Sequence, residues 1–346
     1  MKAAIIGVTG YGGIELVRLL NNHPHVEIQS IHSSSQEGTR LNENYPHLVN
    51  HMPLQLEAID SAKIAEQADV VFTATPSGIS SQIVPELVEK GLKVIDLSGD
   101  FRLKEPLAYE NWYKKPAPSK QNLEKAVYGL SEWNKDAIKA ATLLANPGCY
   151  PTATLLGLAP LVTNGLIEEN SIIIDAKSGI SGAGKNPSAV THYAETNENL
   201  KIYKVNQHQH IPEIEQMLYR WNNNIQSVTF STHLIPMTRG IMTTIYGNAK
   251  TNDMTTNRLV DLYKACYKDS PFVRVREQGQ FPSTREVYGS NYCDIGVAYD
   301  ERTGRITVVS VIDNLVKGAA GQAIQNLNIM MGYEENTGLQ LTPIFP

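Results

Sequence analysis

The chain has 346 residues, 42% of them hydrophobic and 19% charged, enough for two domains with full cores. A net charge of −5 excludes the basic surface that would hold nucleic acid or an acidic membrane. No run is long and apolar enough to span a membrane. The N-terminus enters a strand with no signal segment, and Cys149, Cys266 and Cys293 make neither a zinc spacing nor a disulfide framework, so a reduced, cytoplasmic protein without metal is expected.

Residues 2–8 form a short apolar run of buried-strand type. GVTGYGG follows at 7–13, then a helical stripe at Ile14, Val17 and Leu20. Strand, glycine turn and helix are the context of a phosphate-binding fingerprint, here spaced G-x-x-G-x-x-G and not G-x-G-x-x-G. Gly7, Thr9, Gly10, Tyr11 and Gly12 are the expected cradle, with Gly10 and Gly12 letting backbone approach a pyrophosphate. A tight turn without ligand is the alternative. Residues 26–31 read as the second strand. Where an NAD site would carry an acid, Ser33, Ser34 and Ser35 follow, with Arg40 beyond. Hydroxyls and a cation suit a 2′-phosphate, which points to NADP; an ordinary polar loop is the alternative.

A third strand at 68–74 runs into Thr75-Pro76-Ser77-Gly78, residues 81–89 are helical, and a fourth strand at 92–97 runs into Ser98-Gly99-Asp100-Phe101-Arg102. Strands alternating with helices predict an α/β doubly wound parallel sheet, with ligands at the carboxyl ends of its strands, where Thr75 and Pro76 lie. Residues 105–125 read as an irregular excursion. At 146–154, Asn-Pro-Gly-Cys-Tyr-Pro-Thr-Ala-Thr puts Cys149 at the start of a helix that ends at Asn164-Gly165. A helix N-terminus favours an anion and so a thiolate; a Cys packed as a small hydrophobe is the alternative.

A new strand opens at 171–176 and leads into KSGISGAGK at 177–185. This Ser/Gly loop between two lysines suits an anion or the nicotinamide end of a cofactor, or is merely flexible. In NQHQHIPEI at 206–214, His208 and His210 precede a helix starting near Pro212. If the segment is extended, the two imidazoles are expected to face opposite sides and so not to share one role. A metal pair lacks a third ligand, and a structural His bonded to backbone is the other alternative. Long strands at 228–234, 240–246, 294–299 and 305–311 predict an α+β half with one large mixed or antiparallel sheet, a face of which can serve as a dimer interface. Residues 313–330 read as one long helix whose small residues permit close approach of a cofactor.

Together GVTGYGG, DLSGDFR at 96–102, NPGCYPTA at 146–153, KSGISGAGK, HQHIPEI at 208–214 and DNLVKGAAGQA at 313–323 resemble the N-acetyl-gamma-glutamyl-phosphate reductase family of the aspartate-semialdehyde dehydrogenase superfamily, over essentially the whole chain. The cysteine segment followed by the paired-His segment is the specific part. The resemblance implies an NADP-binding Rossmann domain at 1–148 and 314–346 and a catalytic and oligomerisation domain at 149–313. It implies a homodimer or homotetramer and the NADPH-dependent reduction of a small acyl phosphate in arginine synthesis from glutamate. An acyl phosphate is reduced more readily as a thioester, so Cys149 is expected as nucleophile. His210, which matches the family's His before Pro-Glu-Ile, is expected as base, with Glu213 to orient it. Arg102 and Lys185 are phosphate candidates, and Ser178 and His208 further substrate contacts. Ser181, Gly182 and Asn314 join the cofactor residues. The rival readings are a reductase of aspartyl phosphate or of a carrier-bound aminoadipyl phosphate, a thiol hydrolase, and an NADP-binding regulator without catalysis.

Overall fold

The computed structural model describes residues 1–345, which divide into two compact units: residues 1–147 with 319–340, and residues 148–318 with those from 341 onward. In the first unit, β1 (Lys2–Ile6), β2 (Glu27–His32), β3 (Leu56–Glu57), β4 (Val70–Thr73), β5 (Lys93–Asp96), β6 (Val127–Tyr128) and β7 (Leu143–Ala145) form one sheet in the order β3-β2-β1-β4-β5-β7-β6. Every neighbouring pair is parallel. Ala3 to Ile6 and Val70 to Thr73 are buried without a break, which a strand covered on both faces requires. Helices α1 (Tyr11–Leu20) and α2 (Ser80–Glu89) follow β1 and β4.

The excursion at 105–125 is not irregular. It holds helices at Pro106–Tyr113 and Lys120–Lys125. Pro106 starts the first, where its missing N–H costs nothing. Tyr109 and Tyr113 stack at 4.6 Å, and the Tyr109 hydroxyl donates to Asp100 at 2.7 Å. These ring contacts anchor a segment whose composition reads as a loop.

The second unit holds β8 (Ile173–Ser178), β9 (Lys201–Tyr203), β10 (Thr229–Leu234), β11 (Ile241–Asn248), β12 (Val273–Val275), β13 (Cys293–Asp300) and β14 (Arg305–Ile312). Their order is β12-β13-β14-β11-β8-β10-β9, and the pairings are mixed. Helix α3 (Cys149–Thr163) is buried from Tyr150 to Val162 and packs on one face of this sheet. Gly157 permits the approach: a Cβ there would lie 3.1 Å from Ile245 and 3.3 Å from Ser310. Helices α4 (Ile211–Trp221) and α5 (Thr256–Tyr267) flank α3, and the Tyr263 hydroxyl donates to the Gly157 carbonyl at 2.5 Å. On the other face Asp175, Lys177, Met242, Thr244 and Val309 stay half-exposed, alternating with buried neighbours.

Residues 313–330 do not form one helix. Asp313 accepts the N–H groups of Leu315 and Val316, a π-turn covers Val316–Ala320, and α6 (Gly321–Met331) begins only there. The Asp313 carboxylate satisfies amides that a helix would have to leave open at its start.

Candidate active site

In the first unit the glycine turn has two kinds of glycine. Gly7 has φ +85°, and a Cβ on it would strike the Ala74 carbonyl at 2.6 Å; a Cβ on Gly13 would meet the Gly7 carbonyl at 2.6 Å. Gly7 lets the turn close against the end of β4, and Gly13 lets α1 close against the end of β1. Gly10 and Gly12 face open space: a Cβ would find only the Gly7 oxygen at 3.7 Å from Gly10, and nothing within 4 Å of Gly12. Gly10 caps α1 without a side-chain hydrogen bond, and the first turn carries no acid. Bare N–H groups facing open space at a helix N-terminus fit a pyrophosphate. Tyr11 opens α1 and is partly exposed, while the Thr9 carbonyl accepts from Tyr45 at 2.7 Å.

After β2, Ser33 is buried and its Oγ accepts from the Ser35 N–H at 3.4 Å, while Ser34, Ser35 and Arg40 are exposed. After β4, Thr75 shares a 2.9 Å hydroxyl contact with Ser80, and Pro76 is exposed. Asp100 ties this loop to the one after β5, accepting from Gly78 and Ser81 N–H at 2.7 and 2.9 Å. Burial holds the Asp96 carboxyl above the usual range, against the pull of hydroxyl donors on Thr73 and Ser98. Arg102 is buried, donating from Nε to the Asn146 carbonyl and from Nη2 to the Leu97 carbonyl, both at 2.8 Å. Those bonds brace the chain just before the cysteine turn, a structural task that the phosphate role expected of Arg102 did not foresee.

In the second unit Cys149 is the first residue of α3, behind Gly148 as cap, and is partly exposed. A Cβ on Gly318 would lie 2.8 Å from the Cys149 Cβ, so the π-turn presses bare backbone against Cys149. Glu213 is fully buried, and its Oε1 accepts the Gly148 N–H at 2.8 Å. This contact holds the cysteine turn.

The segment at 208–210 is a turn and not extended: His210 has φ −82° and ψ −11° as cap of α4. The expected opposition of the two imidazoles does not hold: their centroids lie 4.7 Å from each other, and even extended backbone would put residues two apart on one face. His208 Nδ1 accepts the His210 backbone N–H at 3.2 Å. Tyr150, the residue after Cys149, stands edge-on to His208 at 5.4 Å and to His210 at 6.0 Å. So the helix that carries the thiol also touches both histidines. Burial, with Lys204 adding a smaller push, lowers the His208 imidazole to about 3, and burial raises the Tyr150 phenol far above its usual value.

The Ser/Gly loop is ordered by partners. Ser178 Oγ donates to the Gly179 carbonyl at 2.9 Å. Asn314 Nδ2 donates to Ser181 Oγ at 2.9 Å, and its Oδ1 accepts from Gly240 N–H at 2.7 Å. Gly182 and Lys185 are exposed at the end of this loop. Sequence reasoning passed over Tyr150, Gly13 and Gly318. Their only sequence signals are adjacency to the cysteine, the third glycine of the fingerprint, and the Gly in VKGAAG.

Two family models match the chain: the semialdehyde dehydrogenase NAD binding domain over residues 2–141 and the semialdehyde dehydrogenase dimerisation domain over residues 149–314. Similar curated proteins, each called N-acetyl-gamma-glutamyl-phosphate reductase, come from Geobacillus sp. (strain WCH70), 65% identical, and Geobacillus kaustophilus (strain HTA426), 62% identical; both align over 100% of either chain. Among solved structures, aspartate semialdehyde dehydrogenase II of Vibrio cholerae, complexed with ASA, matches with a TM-score of 0.72 at 18% identity over 96% of this chain and 98% of its own. The aspartate semialdehyde dehydrogenase of Candida albicans with NADP matches at 0.72 and 16% over 97% and 99%. At such identities these structures bear on the fold alone.

Proposed function

The chain belongs to the N-acetyl-gamma-glutamyl-phosphate reductase family, and we propose that it reduces N-acetylglutamyl 5-phosphate to the 5-semialdehyde through a thioester on Cys149, with NADPH as reductant. The observation that carries this reading is the placement of Cys149 at the N-terminus of a buried helix whose second residue touches both histidines. The N–H groups of that terminus favour the thiolate.

The steps follow from these groups. His210 takes the thiol proton, and the thiolate attacks the acyl carbon. The carbon–sulfur bond forms as the carbon–oxygen bond to phosphate breaks. Bound NADPH supplies a hydride to the acyl carbon. The thiohemiacetal oxyanion then re-forms its carbonyl, expels the thiolate and releases the aldehyde, while the proton held on His210 returns to sulfur or leaves with phosphate. Glu213 keeps the Gly148 amide, and with it the start of α3, in place through this cycle.

Gly10, Gly12 and the first turn of α1 would hold the pyrophosphate, and Ser34, Ser35 and Arg40 a 2′-phosphate. The half-exposed face of the second sheet supports a homodimer built face to face on it, in keeping with the description of the matching family model as a dimerisation domain. The reaction is placed in the cytoplasm as part of the same proposal; among the described residues no helix is long and apolar enough to cross a membrane. The deciding experiment runs the reaction backwards: NADP reduction that requires phosphate, with N-acetylglutamate semialdehyde against aspartate semialdehyde. Preference for the second aldehyde, or turnover without phosphate, would overturn the reading.

A further inference from the structure

His208 is 4% exposed, too buried for a residue that only lines a substrate pocket, and it is the hub of an aromatic box. Tyr150, Tyr203 and Phe230 surround it edge-on with ring centroids at 5.4, 5.7 and 5.8 Å. The Tyr203 hydroxyl donates to that of Tyr150 at 3.3 Å, and the Tyr150 hydroxyl to the His233 carbonyl at 3.3 Å. Within the box His208 does one directional thing: its Nδ1 receives the backbone N–H of His210. An imidazole that accepts at Nδ1 carries its hydrogen on Nε2. The amide it receives lies ahead of α4, where no carbonyl of the helix can serve it.

We infer that His208 is a positioning residue: it closes the 208–210 turn through its Nδ1 and so fixes the imidazole of His210 against the helix that carries Cys149. This rests on the assignment of the base to His210. Losing the acceptor removes the bond that restrains the 208–210 turn, and a misplacement of about 1 Å in a reacting group can cost about 10²-fold in rate. His208 does not itself exchange protons in the working range. The groups that face it are Tyr150, Tyr203, His210 and, as the one charge acting on it, Lys204, and burial keeps it neutral.

Two substitutions separate positioning from contact with substrate. In His208→Asn the side-chain oxygen takes over the acceptor position; in His208→Phe the box stays filled but the acceptor is gone. His208→Asn is expected to keep kcat within about 5-fold, and His208→Phe to lose about 10²-fold in kcat with KM nearly unchanged. Hydrogen exchange at the His210 amide, measured without substrate, should quicken in His208→Phe alone. Equal kcat in the two variants, or a KM rise in both, overturns the inference, as does an unchanged exchange rate in His208→Phe. Should the Phe variant fail to fold, the nitrogen chemical shifts of His208 in the unaltered protein still decide: an Nδ1–H tautomer sinks the proposal. The amide exchange and the tautomer do not depend on which residue is the base, whereas a pH–rate limb that survives in His210→Asn would remove the base assignment alone.

Discussion

The two sheets have seven strands each and bury their residues differently. In the first, β1 and β4 are apolar and hidden almost throughout, and the chemistry sits in the loops beyond the strand ends. In the second, β8, β10 and β11 alternate buried and half-exposed residues, so one face carries α3 and the other remains available to a second subunit. A fully covered sheet can offer a ligand only its edges and ends. A half-covered one can brace a nucleophile on one side and assemble on the other. On this view the first unit governs cofactor affinity and the second governs turnover.

Substitutions should respect that division. The largest effect is expected for Cys149→Ser: loss of more than about 10³-fold in kcat with NADPH binding intact by fluorescence titration, while Cys266→Ser and Cys293→Ser stay active. His210→Asn comes next, with about 10²- to 10⁴-fold in kcat and a lost pH–rate limb. Gly318→Ala, whose added carbon would lie 2.8 Å from the Cys149 Cβ, should lower kcat by about 10²-fold and leave NADPH affinity alone. A Gly318→Ala variant that altered cofactor affinity would blur the division. In the first unit, Gly13→Ala forces a contact of 2.6 Å with the Gly7 carbonyl and should cost about 1–3 kcal/mol in urea unfolding, with weaker NADPH binding. The smallest effect concerns pH. Burial holds His23, His32 and His208 below the usual imidazole range, so below about pH 6.5 the unfolded chain binds protons there more readily than the folded chain does. Stability is therefore lost as pH falls, and for His208 the loss runs from about 6.5 down to about 3. At pH 5.5 His208 should cost about 1.4 kcal/mol relative to pH 8, which urea midpoints at the two pH values would measure.

What the sequence made legible was whatever repeats with a period or starts with a turn. The parallel strands, the glycine turn and the start of α3 at Cys149 follow from apolar runs and from Pro and Gly placement. What stayed hidden depends on contacts between distant residues. No local rule joins Tyr150 to His208, or Glu213 to Gly148, 65 positions apart. The expectation that the two-residue spacing opposes the histidine side chains fails even on extended backbone, where residues two apart share a face; the turn closed by the His210 amide keeps the rings together by another route. The helices at 106–113 and 120–125 were masked by Pro, Lys and Tyr, which read as loop until Tyr109 finds Asp100.

The division of the chain has a consequence for synthesis. The first unit takes its last helix, α6, from the far end of the chain. From α6, Gln322 and Asn326 donate to the Gly129 carbonyl, and Asn326 also donates to Asn146, whose own amide reaches the Ala319 carbonyl. A ribosome that has delivered residues 1–147 has not yet supplied Gln322, Asn326 or Ala319, so their partners on Gly129 and Asn146 must stay hydrated while the next 171 residues emerge. The usual order, in which the N-terminal domain matures first, is closed to this protein. The segment that starts at Gly148 can collect its sheet first, and the nucleotide-binding unit is completed last, when the chain is nearly finished.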